Sequence, residues 1–113
     1  MIGHETEPKF DVTPEILYKD GRAVKITTYC VVNNWTRSES EVRIDERGNY
    51  TESCFDEHHG ICRTNEPITR SRLEEIDSHN PRSIPTLSVL GTERSQVENL
   101  LQQLGIKANH IGS

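Results

Sequence analysis

The residues best suited to chemistry are crowded into Cys54-Phe-Asp-Glu-His-His-Gly-Ile-Cys62, which holds two of the chain's three cysteines, two adjacent histidines and two carboxylates. Zinc takes four ligands drawn from Cys and His, and thiolates dominate closed structural sites. Cys54, His58 and Cys62 lie four residues apart, so one helical spacing would align them. An irregular loop could also converge them, with His59 as the substitute ligand and Cys30 as the fourth. No C-x-x-C knuckle is present, and that spacing is what makes zinc assignments specific. The plainer alternative treats Cys30 and Cys54 as small buried apolar residues beside solvated histidines. A Cys54–Cys62 disulfide, which needs an oxidising compartment, ranks below the metal.

The same stretch sets carboxylates (Asp56, Glu57) beside imidazoles (His58, His59), with Cys62 as a candidate nucleophile. Sequence neighbours do not make a dyad, because adjacent side chains in a strand point to opposite faces. No glycine-rich phosphate loop, H-E-x-x-H or G-x-S-x-G motif occurs, and no catalytic residue is assigned.

A contact surface is the other candidate. Trp35, the chain's single tryptophan, sits among Asn34, Thr36 and Arg37 in a polar stretch. Tryptophan and arginine are the commonest interface anchors, so Trp35 and Arg37 are the candidate partner-binding residues. The competing account folds Trp35 back over the edge of a small core. Arg63, Arg70 and Arg72 could form a basic face, but Glu66, Glu74 and Glu75 beside them read as a solvated mixed-charge surface.

The elements that must position these residues follow from periodicity. Residues 1–12 read as a flexible N-terminal arm. Residues 13–18 fit either a short helix capped by Thr13 or a strand turned back by Lys19-Asp20-Gly21. Residues 23–32 form the clearest strand, with Val24, Ile26, Cys30 and Val32 on one face. A polar loop over 33–40 follows, then strands over 41–45 and 50–55 around Glu46-Arg47-Gly48-Asn49. Asn65-Glu66-Pro67 opens a helix over 68–78 that turns Leu73 and Ile76 inward, and His79-Asn80-Pro81 stops it. Residues 84–90 read as a fourth strand or an extended segment, with Pro85 confining it to an edge or to the strand's start. The best helix runs over 93–104, with Val97, Leu100, Leu101 and Leu104 on one face and Gly105 as a left-handed cap. Residues 107–113 are expected to fray.

The resulting fold class is α+β: a small antiparallel β-meander of three to four strands, covered by one or two helices, with an amphipathic C-terminal helix. At 113 residues the chain fits one domain, and 32% hydrophobic residues leave it a modest core. A net charge of -5, from 18 acidic against 13 basic side chains, is the wrong sign for a generic phosphate-backbone binder. Nucleic acid is therefore a poor fit. No apolar run approaches a membrane span and no signal segment follows Met1, so the expected setting is cytoplasmic and reducing. Asn34-Trp35-Thr36 and Asn49-Tyr50-Thr51 are glycosylation-type triplets, discounted in that setting.

Three functions follow. The first is a small soluble protein-interaction module (an adaptor, inhibitor or regulator) whose partner is another protein or a second copy of itself. The second is a zinc-stabilised module using Cys54, His58, Cys62 and Cys30. The third is a small enzyme or ligand-binding domain using the same stretch.

Overall fold

The structure, a computed structural model, describes residues 13–32, 36–56, 60–79 and 84–113, with the backbone alone at 30–32, 36–37, 56, 60–63, 76 and 79. The expected arm over 1–12, Trp35, His58, His59 and the helix stop at Asn80-Pro81 lie outside the described residues.

The fold is α+β, built on a six-stranded, mostly antiparallel sheet, so a sheet of three to four strands understates it. The strands are β1 (Glu15–Lys19), β2 (Arg22–Val32), β3 (Thr36–Ile44), β4 (Tyr50–Asp56), β5 (Gly60–Ile68) and β6 (Asn109–Gly112). They lie in the order β5-β4-β3-β2-β1-β6, with β6 parallel to β1 and every other pairing antiparallel. The helices are α1 (Arg70–His79), α2 (Thr86–Val89) and α3 (Arg94–Leu104).

Residues 13–18 resolve in favour of the strand. Asp20 (φ 54) and Gly21 (φ 79) both take positive φ, the geometry a two-residue hairpin needs to match strand twist. Opposite, the pairing skips from Leu17↔Lys25 to Tyr18↔Ala23, which leaves Val24 as the extra residue of a bulge. That bulge corrects the expected inward face of β2. Ala23 and Ile26 are buried, while Val24 is only partly so.

Ile16, Tyr18, Ala23 and Ile26 on the inner face meet Ile84, Val89 and Leu90 around α2, and Val97 and Leu101 on α3. Val42, Ile44 and Tyr50 extend the cluster along the sheet. The chain between α2 and α3 is stitched to the start of β2 by Gly91 N–H to Ala23 O (2.8 Å), Ala23 N–H to Thr92 O (3.0 Å) and Arg94 N–H to Gly21 O (2.9 Å). Gly105 (φ 71) ends α3 as expected, with Ile106 N–H reaching Leu101 O at 2.9 Å. Leu104 departs from expectation: it is 53% exposed, at the last turn of α3.

Four further expectations are corrected. The stretch expected as a polar loop is strand from Thr36 onward, and the expected helix start at 65–67 is the end of β5. Residues 36–40 and 64–67 carry no apolar side chain apart from Pro67, so the alternation signal is missing. Pro67 fits because β5 is an edge. Helix α1 starts later, capped by Thr69, whose Oγ1 accepts from Arg72 N–H at 3.1 Å. Its Leu73 is fully buried, as expected.

Residues 84–90 are not a strand. Pro85 caps the short helix α2, and Leu87 N–H is bound by Asp77 Oδ2 at 3.1 Å, tying α2 to α1. A short apolar run does not distinguish strand from helix by periodicity. Finally, the C-terminal segment does not fray along 109–112. It forms β6, held by Asn109 N–H to Pro14 O (2.8 Å) and Gly21 N–H to Ser113 O (2.7 Å). Among the described residues no helix is long and apolar enough to cross a membrane.

Candidate functional site

Strand register sorts the side chains of the outer face, opposite the helices, into cross-strand rows. One row runs Ile111, Leu17, Lys25, Arg43, Thr51, and the next Asn109, Glu15, Thr27, Glu41, Ser53. Beyond them Glu39 stands directly opposite Phe55. Helices α2 and α3 spend their buried apolar residues on the inner face and α1 packs on α2. The outer face thus has no helix over it among the described residues.

Its centre is a charge relay. Glu41 accepts from Arg43 Nε at 2.8 Å and lies 2.7 Å from the same guanidinium's Nη2, with Lys25 Nζ at 3.5 Å. Lys25 and Glu41 are largely covered, their side chains only 25% and 20% exposed, which holds this pairing more firmly than an ordinary surface ion pair. Beside the relay a shallow depression of about 280 Å³ is lined by Glu39, Arg43, Ser53, Cys54, Phe55 and Thr64. Phe55 is 43% exposed, and Ile111 at the opposite side of the face 42%. Two large apolar side chains therefore flank a polar centre on the outer face.

The residues singled out from sequence scatter along the outlying half of the sheet. Cys54 is partly buried on β4, paired in register with Ser40 on one side and Arg63 on the other. Cys62 lies on β5 as the extra residue between the pairs Cys54↔Arg63 and Phe55↔Ile61. Cys54 and Cys62 thus stand on the two arms of one hairpin, not on the helical turn that their spacing allowed, and His58 falls in its tip at 57–59, outside the described residues. Cys30 pairs with Ser38 on β3, so a whole strand separates it from β4. Among the described residues no three His, Cys, Asp or Glu side chains group as a metal would need. Arg37 lies on β3 opposite Val31. The arginines of α1 are matched, Arg70 to Glu74 (3.5 Å) and Arg72 to Glu75 (3.0 Å), as a mixed-charge surface requires.

Sequence reading missed a second cluster, on the inner side at the other end of the sheet. Tyr18 Oη and His110 Nδ1 are 2.7 Å apart, with their rings stacked at 5.7 Å. The Arg94 guanidinium lies 5.1 Å from the centre of the Tyr18 ring, bonds Glu98 through Nε (3.0 Å) and donates to Gly112 O (2.9 Å). Burial, reinforced by the nearby Glu98 carboxylate and opposed by Arg94, pushes the Tyr18 phenol up to about 12. Tyr18 and His110 are 92 positions apart, and no local pattern links them.

No protein-family model, no curated protein and no solved structure matches this chain.

Proposed function

We propose that the protein is a small interaction module that binds another protein through the outer face of its sheet. The observation that carries this reading is the exposure of Phe55 and Ile111 on a face that no helix covers among the described residues, around the Lys25–Glu41–Arg43 relay. Interfaces combine apolar or aromatic anchors with arginine inside a polar setting, and this face has that composition. The edge of the same sheet is poorly suited to strand addition, because β5 is bulged at two places. Recognition through side chains of the face follows. Replacing Phe55 or Arg43 by glutamate should abolish association with the partner, or with a second copy, while leaving the melting temperature within a few degrees. Unchanged association with both variants would reject the reading.

A second reading draws support from one feature: Cys54 and Cys62 occupy the paired strands β4 and β5, and His58 lies between them in sequence. A zinc ion held there would staple the outlying end of the sheet. It requires about one equivalent of zinc in the purified protein and a melting temperature that falls with chelator. An apo mass under native conditions, with chelator-insensitive melting, would dismiss it.

A further inference from the structure

We infer that the groove between α3 and β6 is a binding site for a small carboxylate joined to an apolar group. The groove is open to solvent and measures about 560 Å³, on the helical side of the sheet. Ligand sites of this size are concave, largely apolar, and carry a few polar groups that converge. Leu101, Ile106 and Ala108 give this one its apolar floor, and Gln102, Lys107 and His110 stand around it.

The polar groups have a sign. Lys107 has no acidic partner among the described residues. Glu98, the one acid in the lining, is already matched by Arg94 at 3.0 Å. His110 meets Tyr18 Oη through Nδ1 at 2.7 Å, which leaves Nε2 as the ring's other polar atom. The Gln102 amide adds a further donor. An anion is thus met by the Lys107 ammonium with the Gln102 amide and the His110 ring beside it, while its apolar portion lies against Leu101 and Ile106. A cation or a purely apolar guest would leave the Lys107 ammonium unused.

The test is a titration of the isotope-labelled protein, followed by NMR, with hexanoate, hexanol and hexylamine. Hexanoate should produce saturable shifts centred on Gln102, Lys107 and His110, binding about tenfold more tightly than hexanol, as a charge-assisted hydrogen bond provides. Hexylamine should not saturate. Lys107→Gln, at an exposed position, should weaken hexanoate by a similar factor without altering the spectrum elsewhere. His110→Gln should weaken it too. A further arm with N-acetyl-leucine separates two sources of the same chemistry. Tighter binding than hexanoate indicates the terminal residue of a peptide chain, and weaker binding a free organic acid; both uphold the site. Equal shifts from hexanoate and hexanol, or shifts that do not saturate or fall on the outer face, would overturn it.

Discussion

Ser53 and Asn65 hold each other across the β4–β5 ladder: Ser53 Oγ accepts from the Asn65 N–H at 2.8 Å and donates to its side-chain oxygen at 3.3 Å. The pairing skips here, from Glu52↔Glu66 to Cys54↔Arg63, so β5 spends two residues where β4 spends one. Asn65 takes a left-handed φ of 46°, which asparagine tolerates better than any β-branched residue. The result is an edge strand bent out of the regular ladder, a common defence against edge-to-edge pairing.

Ser53→Ala should remove the lock and cost about 1 kcal/mol in urea unfolding, as the loss of an exposed hydrogen bond usually does. Asn65→Val should cost about 1–2 kcal/mol through backbone strain. It should also raise the oligomer fraction in size-exclusion chromatography as β5 straightens. Wild-type behaviour in both variants would show that the bulge does not depend on this pair.

Leucines of α3 should divide by burial. Leu101 is 2% exposed inside the core cluster, and Leu101→Ala should destabilise the protein by about 2–5 kcal/mol. Leu104 is 53% exposed, and its alanine variant should stay within about 0.5 kcal/mol of wild type. Equal melting temperatures would contradict the orientation of this helix.

That pair of leucines also shows how far the sequence could be read. Val97, Leu101 and the Gly105 cap follow local rules, and α3 was legible from them. Leu104 obeys the same spacing but is 53% exposed at the helix end, and spacing does not report where a covering neighbour ends. Strand β6 was illegible because Asn-His-Ile-Gly has no alternation, and its partner β1 lies far away in sequence. For the site, residue type alone drew notice to Cys54. The depression around it depends on Glu39 lying opposite Phe55, a matter of register between β3 and β4.

Tyr18 should be visible in alkali. Its pKa rises from 10.0 to about 12 on folding, so the neutral phenol is favoured by the native state. This contribution to stability is complete below pH 10 and is lost as pH climbs toward 12. In a difference titration near 295 nm, Tyr18→Phe should lack a phenolate step that wild type shows close to pH 12. A missing step near pH 10 would refute the assigned burial and hydrogen bond.

Asp45 should act at the acid end. Hydrogen bonds from the Asn49 N–H, foremost, and from the Asn49 amide and the Arg47 N–H hold its carboxyl below 3.8. A depressed carboxyl stabilises the folded state above its ordinary pKa and loses that effect as pH falls through the lowered value. Asp45→Asn should therefore flatten the acid limb of the stability profile below about pH 4, with little change in its slope near neutrality. An unchanged acid limb would mean that the β3–β4 turn does not need the charge.

The most direct test of the contact face is photo-crosslinking from two positions matched in exposure. A photoreactive side chain at Phe55 lies on the outer face, and one at Leu104 lies on the helical side, at 43% and 53% exposure respectively. If the outer face is the contact surface, position 55 gives one reproducible adduct of defined mass, with a partner or a second copy. Arg43→Glu then removes it, and position 104 gives none. An adduct formed from 104 alone, or formed equally from both and indifferent to Arg43→Glu, would contradict the proposed function.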